Sequence, residues 1–207
     1  MSASVLPSIE QVNAMTRPEE LLEATSVLFE STRALTARLF AKRPFASYEA
    51  LIDAAHSILA AATGTDALSD DEKIDILNAH PRIGAPTASL SALSKREQGV
   101  PAVVGTTVNA SGCGGAASPA IDERTLAELA QLNVAYEAKY GFKFVIFVNG
   151  RTRAALLPEF RQRLASSTRE AEVATGMRAM LDIARDRLSK LQSSAGARSP
   201  SVQPSRL

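Results

Sequence analysis

The chain has one cysteine, Cys113, two histidines, His56 and His80, and no run of apolar residues long enough to cross a bilayer. One thiol cannot close an internal disulfide. With two imidazoles beside it, a tetrahedral zinc site would need several carboxylates to complete it, so no structural metal is expected. An excess of charge is also missing. Twenty-three basic residues stand against 22 acidic ones, a net +1, which leaves no broad electrostatic footprint for nucleic acid or an anionic membrane. A membrane span needs roughly 18 consecutive apolar residues, and none occurs; the N-terminus also lacks the apolar stretch of a signal peptide. The expectation is a soluble intracellular protein with a reduced thiol.

What is present is ordinary for a globular domain. Apolar residues make up 45% and charged residues 22% of 207 residues, a length that suggests one domain with a tail. A domain near this size hides roughly 70% of its unfolded surface. Most of the chain reads as helix. Residues 18–41 carry apolar side chains at spacings of three and four and stop near Pro44. Residues 47–62 repeat the pattern after Ser47. A third helix opens at Ser69, with Glu72 completing a capping box, and ends near His80 because Pro81 disfavours helical geometry before it. Residues 122–140 form a long helix with Asp122 as N-cap and Gly141 as its stop. Helices over 154–166 and 168–192 follow. The one strand-like run, Phe142 to Val148, reads as an extended segment. These readings give an all-α fold, a single helical-bundle domain over 1–192 with a short extended segment near 142–148. Residues 99–120 are small and uncharged, a loop insertion that is either a lid or disordered. From Ser193 to Leu207 little can be buried, and a flexible tail is expected.

Some residues break these patterns. In the last helix Val173, Met177, Met180, Ala184 and Leu191 share one face, and Arg187 falls in the middle of it. An arginine aimed into a core needs an anion, from the protein or from a ligand. Asn133 sits among Leu126, Leu129, Tyr136 and Tyr140, where a buried amide must find partners; a structural hydrogen bond to a neighbouring loop accounts for it. His80 lies at a helix C-terminus, where the helix dipole favours the imidazolium. That suits a proton donor or an anion-binding group, and equally a histidine that caps the helix. His56, amid Ile52, Ala55 and Leu59, reads as structural. Ser94 and Glu97 fit another capping box.

The series His80-Pro81-Arg82-Ile83-Gly84, Ser94-x-x-Glu97-Gln98 and Asn133-x-x-Tyr136-x-x-Lys139-Tyr140-Gly141-Phe142-x-Phe144-Val145-Ile146, closed by Arg187-Leu188, is distinctive in its order. With Arg43-Pro44-Phe45 it resembles the OHCU decarboxylase family over roughly residues 8–192. The full name is 2-oxo-4-hydroxy-4-carboxy-5-ureidoimidazoline decarboxylase, the last enzyme from urate to (S)-allantoin. The resemblance implies a cofactor-independent carboxy-lyase that is all-helical, needs no metal or organic cofactor, and is commonly a homodimer. It implies His80 as catalytic acid/base, Glu97 beside it, and Arg187 as the third catalytic residue. Pro81, Ser94, Gln98 and the run Phe144, Val145, Ile146, Phe147 and Val148 match positions that line the substrate site. Two departures stand out. The 99–120 loop looks longer than the family's connection, and Phe147 replaces a frequent cysteine.

Ser205-Arg206-Leu207 is similar to the Ser-Lys-Leu peroxisomal address. This suggests a peroxisomal location and an import receptor as partner, with the cytoplasm as alternative. Besides the decarboxylase, two other readings fit: another ureide-processing enzyme on the same scaffold, and a non-catalytic helical partner protein.

Overall fold

The computed structural model describes residues 6–30, 32–85 and 119–196. Among them the chain forms eight helices and no strand, the all-α bundle that the periodicity predicts. They are α1 (Ile9–Ala14), α2 (Pro18–Phe29), α3 (Arg33–Ala41), α4 (Tyr48–Ala60), α5 (Asp70–Ala79), α6 (Pro119–Tyr140), α7 (Arg153–Ser166) and α8 (Arg169–Gly196). None is long and apolar enough to cross a membrane.

Local chemistry sets many of the ends. The Ser69 hydroxyl accepts the Glu72 N–H at 3.2 Å, and the Glu72 carboxylate accepts the Ser69 N–H at 2.8 Å. That reciprocal box satisfies two of the donors a helix start leaves over. Ser8 and Gln11 do the same for α1, and Ser47 caps α4 through the Ala50 N–H. At the end of α6, Gly141 adopts φ 84° and donates its N–H to the Glu137 carbonyl at 2.9 Å. A left-handed residue just past a helix favours glycine, which has no Cβ to clash.

Several expectations need correction. The run 18–41 is two helices, broken after Phe29, where Glu30 takes φ 57°. Periodicity survives such a break because both pieces bury the same kinds of residue. Asp122 is not an N-cap: α6 begins at Pro119, and proline's preset φ suits a first helical turn. Pro119 and Ala120 therefore belong to a helix, while the rest of the expected 99–120 loop lies outside the described residues. The last helix runs on to Gly196, past the expected tail boundary at Ser193. His56 is exposed, because α4 buries Tyr48, Leu51, Ile52, Ala55 and Ile58, and His56 falls to the side of that stripe. Phe142 to Val148 lies outside every helix and pairs in no sheet.

The described residues gather into two compact units. The first takes those up to Leu68 and those from Leu181. Its core includes Leu21, Leu28, Leu39, Leu51, Ile58 and Ala184, all without solvent exposure; each large aliphatic side chain so buried contributes about 1.5–3 kcal/mol. The Arg43-Pro44-Phe45 triplet is a structural tie in this unit. Arg43 donates to the carbonyls of Val12, Asn13 and Met15 at the end of α1. Asn13 exchanges two 2.8 Å hydrogen bonds with the Phe45 backbone.

The second unit, Ser69 to Met180, is organised around aromatic rings. Phe144 stacks on Phe160 with centroids 3.7 Å apart, and Tyr136 meets Phe142, Phe144 and Phe160 edge-on. Such pairs add about 0.5–1.5 kcal/mol each beyond the area they bury.

Candidate active site

His80 is buried and is the C-cap of α5, with extended backbone at φ −72° and ψ 144°. Pro81 drives that conformation, since its ring crowds the preceding residue out of the helical region. The His80 N–H closes the helix by donating to the Leu77 carbonyl at 3.2 Å. A turn follows at once. Ala85 donates to the Arg82 carbonyl at 3.2 Å, with Gly84 at φ 78° in the position where a type II turn requires a left-handed residue. A Cβ on Gly84 would also lie 3.2 Å from the Leu129 side chain.

Helix α6 holds that turn with two residues one helical turn apart. Asn133, buried, donates its amide to the Ile83 carbonyl at 3.0 Å and to its own helix at Leu129. This is the structural hydrogen bond to a neighbouring loop that the sequence predicts. Glu137 takes Arg82 in a two-pronged pair, both contacts at 2.6 Å. Those hydrogen bonds, followed by charge attraction, raise the Arg82 guanidinium. The same hydrogen bonds hold the Glu137 carboxyl below its ordinary value against the opposing effect of burial.

The extended segment meets the histidine loop through Lys143. Its N–H donates to the Asn78 side chain at 3.0 Å, and its ammonium donates to the carbonyls of Asn78, at 2.5 Å, and His80, at 3.2 Å. A cation at a helix C-terminus satisfies carbonyls that the helix itself leaves over. Beyond Lys143, the Phe144 side chain lies in the aromatic core, while Val145, Ile146 and Val148 are buried and Phe147 is half-buried. The carbonyls of Val145, Phe147 and Val148 accept from Arg163, Arg151 and Arg151 respectively. The amide N–H groups of Phe144 through Val148 find no acceptor among the described residues.

Arg163 belongs to a buried network. It donates to the Glu172 carboxylate at 2.9 and 2.7 Å, and the Tyr136 hydroxyl donates to the same oxygen at 2.5 Å. Burial by itself would raise Glu172, but the hydrogen bonds from Arg163, Tyr136 and Ser167 outweigh it and hold the carboxyl low. Tyr136 is pushed well above the phenol range, first by burial and then by its bond to Glu172.

Arg187 lies in the first unit and is 2% exposed. Its Nη1 meets the Glu30 carboxylate at 2.8 Å and the carbonyls of Val27 and Leu28 at 3.2 and 3.5 Å. The interior arginine thus has a protein anion, and it also caps the end of α2. The second unit contains His80, Pro81 and the 144–148 run, with Lys143 in contact with the His80 carbonyl, whereas Arg187 belongs to the other unit. Ser94, Glu97 and Gln98 lie outside the described residues.

Sequence reasoning passed over Asn78, Lys143, Glu137 and the Arg163–Glu172 pair. A lysine set between Phe142 and Phe144 was a usable signal for Lys143, as was the four-residue step from Asn133 for Glu137. Arg163 and Glu172 carry no local signal at all. Among the described residues no group of three or more His, Cys, Asp or Glu side chains could hold a metal ion.

Comparison with known proteins places these features. The sequence model of the OHCU decarboxylase family matches residues 13–189. A human protein named as a candidate 2-oxo-4-hydroxy-4-carboxy-5-ureidoimidazoline decarboxylase is 31% identical over 175 residues, covering 81% of this chain and 87% of its own length. The crystal structure of an OHCU decarboxylase in the presence of (S)-allantoin matches with a TM-score of 0.55 and 24% identity, over 86% of this chain and 99% of that one. An (S)-allantoin synthase structure matches with a TM-score of 0.53 and 18% identity, over 89% of this chain and 54% of that one. At these identities the two structures share a fold with this chain.

Proposed function

The chain belongs to the OHCU decarboxylase family, and on that premise we propose that it converts 2-oxo-4-hydroxy-4-carboxy-5-ureidoimidazoline to (S)-allantoin and carbon dioxide in urate breakdown. The observation that carries this reading is the family match across residues 13–189. The substrate bears a carboxylate and a hydroxyl on one ring carbon and a ureido arm on the next. Breaking the bond to the carboxylate releases carbon dioxide and leaves its electron pair on the ring as an enol-type system. This becomes the carbonyl of allantoin as the hydroxyl gives up its proton and the neighbouring carbon gains one. Protonation on a single face produces the S form.

His80 is the group suited to move a proton at the hydroxyl or at that carbon, since an imidazole works near neutral pH. The amides of Phe144 to Val148 can read the polar edge of the ring, and their want of protein acceptors among the described residues supports that role. Arg187 would orient an anionic group through its planar guanidinium. Glu97 would accept from the ureido nitrogens or orient the imidazole, and Pro81, Ser94 and Gln98 would complete the lining.

The test follows the circular dichroism of allantoin while fresh substrate is generated from urate. Wild type should produce the S enantiomer quickly, and His80→Ala should lose about 10²–10⁴-fold in rate. Racemic allantoin at the blank rate from folded wild type would reject the function.

Two further proposals concern the setting. A homodimer is what the family resemblance suggests, and it is checked by the mass in solution, for example by light scattering on the peak eluted from a sizing column. Import into peroxisomes rests on Ser205-Arg206-Leu207, and its removal should leave a fluorescently tagged chain in the cytosol.

A further inference from the structure

We propose that Lys143 and Asn78 form a clasp that sets the spacing between His80 and the amides of Phe144 to Val148, which makes Lys143 a positioning residue; the inference rests on the function proposed above. Both ends of Lys143 face one residue. The main-chain N–H donates to Asn78 Oδ1 and the ammonium to the Asn78 carbonyl, with a second contact to the His80 carbonyl. A lysine that merely capped the helix would need only the carbonyl contacts. The additional main-chain bond fixes the direction in which the chain leaves the clasp.

From there the chain can advance at most roughly 3.3–3.6 Å per residue. The Phe144 and Val145 amides therefore stay within about 7 Å of the clasp, measured along the chain. Phe142 and Phe144 anchor the segment's other side in the aromatic core. The residues after His80 are held independently, by Asn133 at Ile83 and Glu137 at Arg82. Holding a long side chain in one place costs it rotamer freedom. Lys143 spends that freedom on a junction between the histidine loop and the segment that follows Phe142.

Lys143→Met keeps the aliphatic stem and removes the donor. In this variant kcat should fall about 10-fold or more, in keeping with the sensitivity of catalysis to shifts near 1 Å. The S excess of the product should erode, KM should change less than kcat, and Lys143→Arg should recover most of the loss. The imidazole NMR signals give a second readout, because the chain has only two histidines. Those of His80 should move in Lys143→Met while those of exposed His56 stay. If Lys143→Met does not fold, Asn78→Ala, which removes the side-chain acceptor, carries the same comparison. A lowered Tm with kcat, S excess and His80 signals all unchanged would overturn the clasp and leave a simple helix cap. A wild type without decarboxylase activity would reject the function instead, and the clasp would then stand or fall on the His80 signals alone.

Discussion

Each unit pairs an arginine with a glutamate, one partner of each pair being buried, and the two pairs differ in what surrounds them. In the second unit Glu172 is 2% exposed and one of its oxygens receives Arg163 and Tyr136 together, while Arg163 also reaches the Val145 carbonyl and lies 4.3 Å over the Phe144 ring. In the first unit Arg187 meets Glu30 at a helix end, and Glu30 itself sits at φ 57°. A non-glycine residue in a sparsely populated backbone region costs of order 1–3 kcal/mol and persists only where its surroundings hold it. The Arg163–Glu172 network ties a core together with neither partner in such a region. The Arg187–Glu30 pair ties an arginine to a strained residue where α2 ends, the kind of setting in which functional groups are kept. Burial and charge pairing are common to both, so neither property separates the structural arginine from the candidate catalytic one.

Mutations can sharpen or break that contrast. The largest effect is expected from Arg163→Met, which strands the Glu172 carboxylate in the core. Stability should drop by about 3–5 kcal/mol, as when one partner of a buried pair is removed, and denaturant unfolding would measure it. Adding Glu172→Gln should return part of the loss. Next comes Arg187→Lys, which keeps the charge but not the planar fork. Here the rate of (S)-allantoin formation should fall by roughly 100-fold, the scale for losing a donor that acts at the transition state, with a much smaller change in Tm. An Arg187→Lys enzyme with full rate would erase the distinction between the pairs.

A smaller effect concerns pH. The Glu172 carboxyl in the folded protein lies below its ordinary value of 4.5. The stability it contributes is complete above that value and drains as pH falls through the folded value. Tm measured from pH 6 down to pH 3 should therefore decline more gently in Glu172→Gln than in wild type. The smallest change is expected for Glu137→Gln, whose partner Arg82 is half exposed. An ion pair of that kind contributes about 0–1 kcal/mol, and a larger loss would show that the turn after His80 depends on it.

Much of this was legible in the residues. The Ser69–Glu72 box, the stop before Pro81, the Gly141 terminus and the burial of Asn133 all follow from short patterns, and so did the suspicion that Arg187 points inward. Such signals act within about one helical turn, where hydrogen bonds join residues three or four apart. They determined an all-α chain, the cap position of His80 and the family motif that names its chemistry. The tertiary structure alone decided the rest. It broke the 18–41 run at Glu30, gave Arg187 its carboxylate and carbonyl partners, turned His56 outward, placed the Phe144 ring in the core and brought Lys143 to Asn78. Arg187 and the Val27 carbonyl are 160 residues apart, and Lys143 and Asn78 are 65 apart. No local pattern encodes which distant group will satisfy a buried charge, because the partner exists only once the helices have packed.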